Sequence, residues 1–170
     1  MAIETDHPIA GPPEALLERG FDAVYVACGF PHDAVPPIEG IEGPGVYTAL
    51  DLLRQVARGE PPPLGRRVLV VGGGNTAMDA ARTAQRLTGR PVTVVYRRTQ
   101  AEMPADREEV VDLLAEGNEI MSLVAPRRVK RAAGAVVGLA CVRTALGAPG
   151  PDGRRQPVPV EGSGFTIEAD

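Results

Sequence analysis

The chain has 170 residues and a formal net charge of -4, with 44% hydrophobic, 24% charged and only 4% aromatic residues and no Trp. That length admits one domain with a connecting segment and excludes a second full cofactor domain, while the apolar share excludes disorder as the default state. The negative charge and the lack of basic residues interleaved with aromatics argue against nucleic acid as a partner.

The opening residues, MAIETDHPIAGPPEALLERG, mix Pro, Gly and charge. They predict tethered surface, with a helical turn or two over Glu14 to Arg19. They lack the basic-then-apolar pattern of a signal peptide, and no apolar run in the chain approaches the roughly 20 residues that span a bilayer. The expected location is therefore cytoplasmic, with no membrane partner. Phe21 to Gly29 is a short apolar run ended by glycine and predicts a buried strand. Pro31 to Gly45 is rich in Pro and Gly and predicts a loop.

From Val46 to Arg58 the residues Ala49, Leu52, Leu53 and Val56 recur at helical spacing, and Gly59 stands where a helix would stop. Pro61-Pro62-Pro63 follows as a stiff spacer and marks a boundary. The expected organisation is a connecting segment over residues 1–65 and a domain over residues 66–170.

The most regular stretch begins at Arg67. A strand over Val68 to Val71, a glycine-rich turn, a helix from Asn75 to Leu87 and a strand from Val92 to Tyr96 make up a βαβ unit. Asp106 to Glu116 predicts a further helix, with Asp106 as N-cap and Glu109 completing a capping box. Beyond it, Glu119 to Val129, Val136 to Leu146 and Phe165 to Glu168 predict strands joined by Gly-Ala and Pro-Asp-Gly turns, a late antiparallel hairpin region.

The chemistry sits in Val71-Gly72-Gly73-Gly74-Asn75-Thr76-Ala77-Met78-Asp79, where Gly72, Gly74 and Ala77 stand at G-x-G-x-x-A spacing. Gly72 allows the tight turn out of the strand, Gly74 lets the backbone approach a pyrophosphate, and Ala77 lets the helix lie close to the sheet. Free N–H groups at the helix start face the phosphates. The strand before and the helix after favour dinucleotide binding over a purely structural turn.

The end of the second strand selects the nucleotide. A carboxylate there would bind ribose hydroxyls, but the residues are Tyr96-Arg97-Arg98-Thr99, with no acid before Glu102. Paired arginines suit a 2′-phosphate, so the expected cofactor is NADPH rather than NADH or FAD. The alternative for Arg97 and Arg98 is a solvated basic pair. Arg127, Arg128, Lys130 and Arg131 predict a solvated strand face, with partner docking as the sharper alternative.

Several chemistries lack support. His7 and His32 have no ligand spacing, Ser122 and Ser163 no nucleophile-elbow context, and Cys28 and Cys141 no CxxC arrangement. Lys130 is the only lysine, and nothing near it suggests a Schiff base or a P-loop.

Three segments, Gly72 to Asp79, Tyr96-Arg97-Arg98-Thr99 leading to Glu102-Met103-Pro104-Ala105, and Phe21 to Gly29, together resemble the glutamate synthase small-subunit type of NADPH-dependent flavin oxidoreductase. That family includes the electron-input part of dihydropyrimidine dehydrogenase. The resemblance implies a Rossmann-like α/β fold in which an NADPH domain is inserted into an FAD domain. Ala27-Cys28-Gly29 would be one crossing point, Phe21 to Gly29 a remnant FAD-domain strand, and residues 46–58 a linker helix. Phe165 to Asp170 would approach the return crossing.

It further implies that NADPH gives a hydride to FAD and that electrons leave through iron-sulfur clusters toward a partner subunit or domain. Gly72, Gly73, Gly74, Asn75, Thr76 and Ala77 would surround the pyrophosphate. Arg97 and Arg98 would hold the 2′-phosphate, and Glu102 and Met103 would lie in a loop closing over the nucleotide. Asp79 would either cap or orient the glycine loop or touch the ligand. Neither flavin motif of the family is present, so the chain is expected to bind NADPH without turning it over. The rival readings are a non-catalytic dinucleotide sensor or scaffold and a short-chain dehydrogenase. The latter would need a Tyr-x-x-x-Lys pair that Tyr25, Tyr47 and Tyr96 do not form.

Overall fold

A computed structural model describes residues 2–29 and 34–170. The chain divides into two compact units, one up to residue 32 and one from residue 33 onward. His32 and part of the loop expected over Pro31 to Gly45 fall outside the described residues.

In the first unit a 3-10 helix spans Pro13–Arg19 and is ended by Gly20, whose left-handed backbone lets its N–H reach Leu17 O at 3.1 Å. The strand expected over Phe21 to Gly29 does not form: these residues are irregular, and Tyr25 is 93% exposed. An apolar run becomes a strand only when a neighbour takes up its backbone N–H and C=O groups. Among the described residues none pairs with this one.

Among the described residues, all the regular sheet lies in the second unit. Its first helix, α1 (Ala49–Ala57), is capped by Thr48, whose Oγ1 accepts the Asp51 N–H at 3.3 Å. The α1 helix packs against α2 (Asn75–Thr88), so the residues expected as a linker helix belong to the larger unit. The segment before α1 is also tied in. Ile38 is buried, and Glu39 exchanges backbone hydrogen bonds with Arg127 and Val129 of β4 (Val124–Ala132). Arg131 bonds the carbonyls of Pro44 and Glu42, and Arg128 lies 3.6 Å from Glu39, so part of the basic strand face holds this segment.

Strands β1 (Leu69–Val71), β2 (Thr93–Tyr96) and β3 (Glu119–Ser122) form a three-stranded parallel sheet in that order. Crossovers through α2 and α3 (Arg107–Ala115) join these parallel neighbours, as parallel pairing requires. Alternation along each strand sorts the side chains into two layers. Val70, Val94 and Ile120 pack toward Ala77, Met78, Ala81, Ala84, Val110 and Leu113 of the helices. Leu69, Val95 and Met121 face Val124, Leu139 and Cys141 on the other side.

That second layer is antiparallel. The long β5 (Ala135–Pro149) pairs with β4, with β6 (Arg155–Pro159) and with β7 (Phe165–Glu168). The expected strand over Glu119 to Val129 is thus two strands. Leu123, at φ 57°, turns the chain from the parallel sheet into the antiparallel one. Its N–H donates to Arg98 O at 3.0 Å and its carbonyl accepts from Thr144 N–H at 2.9 Å, which holds a conformation that a branched side chain disfavours. β6 was not anticipated.

Residues 168 and 170 lie beside the point where β1 begins. The Arg67 N–H donates to Asp170 Oδ1 at 2.6 Å, and its guanidinium bonds Glu168. Asp170 is held below the usual carboxylate range, first by that backbone N–H and then by the charge of Arg67.

Candidate functional site

The glycine turn lies at the C-terminal end of β1, where ligands of open parallel sheets bind. Gly72 has φ 149°, and a Cβ there would stand 3.1 Å from Ala77 Cβ, so the close helix–strand approach needs both small residues. Gly73 is buried under the ring of Tyr96, and a Cβ would lie 2.5 Å from Cε2 of that ring. Gly74 is the N-cap of α2, and nothing stands within 4 Å of where its Cβ would be. Its carbonyl accepts the N–H groups of Ala77 and Met78, at 2.9 and 3.2 Å. The N–H groups of Asn75 and Thr76 precede these first intrahelical bonds and remain available, with the positive end of the helix behind them.

Thr76 is exposed at the helix start. Asn75 is committed to the protein: its Oδ1 accepts the Asp106 N–H and its Nδ2 donates to Asp106 Oδ2, both at 2.8 Å. The capping box expected at Asp106 and Glu109 is therefore absent. Asp106 does occupy the N-cap of α3, but its carboxylate goes to Asn75, and Glu109 pairs with Arg82 at 2.9 Å. The box forms instead at Thr99 and Glu102, where Glu102 Oε2 accepts from Thr99 Oγ1 at 3.0 Å and Thr99 N–H at 3.3 Å. A Thr-x-x-Glu spacing was present in the sequence to indicate it.

The loop from Thr99 to Ala105 is pinned to both ends of the site. Tyr96 Oη donates to Glu102 O at 2.8 Å, and Ala105 N–H donates to Gly73 O at 3.0 Å. Met103 packs against the helix-side core. Glu102 and Met103, expected in a loop that closes over the nucleotide, thus have their side chains engaged within the protein. Asp79 is exposed on the second turn of α2.

The two arginines expected together at the end of β2 part company. Arg97 is exposed, and its guanidinium has no hydrogen-bond or ion-pair partner among the described residues. Arg98 is only 4% exposed, and its Nε donates to Arg155 O at 2.6 Å. Successive residues at a strand end point to opposite faces, which the doublet alone concealed. Thr144, which donates to Arg97 O, and Asp152, 3.9 Å from Arg98 Nη2, complete these surroundings and carried no sequence signal of their own.

Among the described residues no group of His, Cys, Asp and Glu could hold a metal ion, and no helix is long and apolar enough to cross a membrane.

A parallel βαβ sheet with a glycine turn at its ligand-binding end, backed by an antiparallel layer, is an α/β domain of the FAD/NAD(P)-binding type. The chain belongs to the pyridine nucleotide-disulphide oxidoreductase family, whose model matches residues 14–137. It is 42% identical over 159 residues to the NADPH-Fe(3+) oxidoreductase subunit beta of Geobacter sulfurreducens, covering 91% of this chain and 24% of that protein. It is 37% identical over 166 residues to the Escherichia coli glutamate synthase [NADPH] small chain, covering 91% of this chain and 35% of that one. The chain thus spans between about a quarter and a third of these curated relatives. Among solved structures, Mycobacterium tuberculosis FprA in complex with NADPH shares the fold, with a TM-score of 0.70 at 21% identity over 93% of this chain and 50% of that one.

Proposed function

We propose that this chain is the NADPH-binding domain of a flavin-dependent oxidoreductase of the glutamate synthase small-subunit type. The observation that carries the reading is the pairing of two features across adjacent strand ends. One is an open glycine turn with unspent N–H groups at Gly74 to Thr76, and the other is the unpartnered guanidinium of Arg97. The first suits a pyrophosphate and the second an adenosine 2′-phosphate. Gly72, Gly73 and Ala77 shape the turn, Asn75 fixes it, and Thr76 faces the phosphates.

When bound, NADPH supplies the hydride. The chain's own residues bind its phosphates and hold the nucleotide against the strand ends. The described residues offer neither a second glycine turn for FAD nor a ligand cluster for iron and sulfur. Those groups belong, in this reading, to the FAD domain and iron-sulfur-containing subunit or domain of a larger enzyme. The small share of the relatives' length that the chain covers supports that reading.

Titration of the purified chain with NADPH, NADH and FAD by calorimetry tests the proposal. NADPH binding that exceeds NADH binding, with none of FAD, is expected. Equal affinity for the two nicotinamide nucleotides, or tight FAD binding, would overturn it.

A further inference from the structure

The β5 strand runs on past the start of β4. Val124, the first residue of β4, stands opposite Arg143, and from Thr144 to Pro149 the strand pairs only with β6. This overhang lies against the end of β2. Thr144 Oγ1 donates to Arg97 O at 2.8 Å, and Arg98 Nε donates to Arg155 O at 2.6 Å. The turn that joins β5 to β6 therefore stands beside the two arginines at the strand end.

Two guanidinium groups converge there on one oxygen. Asp152 Oδ2 accepts from Arg154 Nε at 2.9 Å, has Arg154 Nη2 at 2.8 Å and lies 3.9 Å from Arg98 Nη2. Arg98 is nearly buried, yet its two Nη groups make no hydrogen bond among the described residues. Its one bond, from Nε, goes to the carbonyl of an exposed residue, which water can satisfy when Arg98 moves. A buried guanidinium with most of its donors unspent calls for an anion. Asp152 is the one the chain itself provides. The Arg154 backbone N–H and then its side chain hold that carboxyl below the usual range, so it is charged at neutral pH.

The turn does not need the Arg154 side chain to close. Gly150 N–H donates to Arg154 O at 2.8 Å, Gly153 N–H to Gly150 O at 3.0 Å, and Arg154 N–H to Asp152 Oδ1 at 3.1 Å. The Arg155 guanidinium bonds back onto β5 at Gly147 O and Leu146 O, at 3.0 and 2.6 Å. The Arg154 side chain is 40% exposed and has no partner but Asp152 among the described residues.

We propose that Arg154 is a third phosphate-binding arginine, which the β5–β6 turn carries to the side of Arg98 so that the two, with Arg97, receive the adenosine 2′-phosphate. Asp152 fills the space between Arg98 and Arg154 while the site is empty and yields it to the phosphate. The inference rests on the NADPH reading above and deepens it by adding a residue from the antiparallel layer to the pair at the end of β2. A phosphate offers three acceptor oxygens and about two negative charges at neutral pH. Arg97 and Arg98 opposed by Asp152 leave a single positive charge to meet it, and Arg154 restores the balance.

Calorimetric dissociation constants for NADPH and NADH test the assignment in the full 170-residue chain and three variants, each checked for folding by circular dichroism. Arg154→Ala is expected to weaken NADPH by roughly tenfold and to leave NADH unchanged. Arg154→Gln removes the charge but keeps a donor for Asp152. It is expected to lose as much, and it decides should the alanine variant fail to fold. Asp152→Ala, at a side chain 41% exposed, is expected to leave NADPH binding as tight as before or to tighten it by up to roughly threefold.

If Arg154 served only to orient Asp152, removing either partner would have the same effect. Weaker NADPH binding in Asp152→Ala therefore overturns the proposal, as does a loss that NADPH and NADH share in Arg154→Gln. A preference for NADPH that survives in both Arg154 variants overturns this inference only. An unsubstituted chain with no such preference overturns the functional reading and the inference with it.

Discussion

Asn75 and Asp106, thirty-one residues apart in the chain, close a two-bond ring in which each side gives one donor and one acceptor at 2.8 Å. The ring joins the first residue of α2 to the N-cap of α3. The residue that opens the helix behind the glycine turn thereby also sets where the next helix begins.

Replacement of Asn75 by Ala removes both bonds and is expected to cost about 1 kcal/mol of stability in urea unfolding. The same variant should weaken NADPH and NADH by similar factors, because the pyrophosphate is common to both. A loss confined to NADPH would show that Asn75 acts at the 2′-phosphate instead. Asn75→Asp should be the more damaging change, since it removes the donor and places a second carboxylate against Asp106.

The α2–α3 contact carries a second cluster. Arg82 donates to Glu116 at 2.7 and 3.0 Å and to Glu109 at 2.9 Å, and lies 3.5 Å from Asp112, while Arg86 reaches Glu116 at 3.2 Å. The Arg82 hydrogen bonds hold the Glu116 carboxyl below its ordinary value, overcoming the opposite push of burial, and the charges of Arg82 and Arg86 add to the effect. A depressed carboxyl stabilises the fold fully above its unfolded value and loses that contribution as pH falls through the folded one. The acid limb of the stability curve should therefore fall below about pH 4.5. In Glu116→Gln that limb should be shallower, with lower stability at neutral pH, as read from urea midpoints across the range. An unchanged acid limb would exclude Glu116 as a contributor.

The two cysteines should differ in reactivity. Cys141 is buried between the sheets, and burial pushes its thiol up to about 11, whereas Cys28 is exposed. Since the thiolate is the reacting form, a disulfide reagent near neutral pH should titrate one thiol quickly and the second only after denaturant is added. Fast reaction of both would contradict the packing of β5 against the parallel sheet.

The βαβ unit was legible to within about a residue at each end, because strand, glycine turn and helix each have their own periodicity. The apolar pattern of α1 and its stop at Gly59 were legible for the same reason. What escaped depended on neighbours. Glu119 to Val129 has the composition of one β-rich run, and nothing in it says that the chain changes partner at Leu123. The β6 strand carries Pro157 and Pro159 and pairs only with β5, an edge position that tolerates proline but resembles a loop in sequence. Phe21 to Gly29 has the composition of a strand without a described neighbour to make it one.

The site divided in the same way. The glycines and the expectation of a basic residue at the end of β2 followed from local chemistry. The partners of Asn75, Arg98 and Glu102 did not, because two of the three lie thirty or more residues away in sequence. The third, Thr99, was close enough to be seen but was outcompeted by a similar spacing at Asp106.

The ring of Tyr96 against the bare backbone of Gly73 has a consequence for descent. The two positions fill one volume, so a side chain can arise at residue 73 only in a lineage that has already lost the aromatic ring at residue 96. Until then each residue preserves the other, and the twenty-two positions between them offer no route around that order of events.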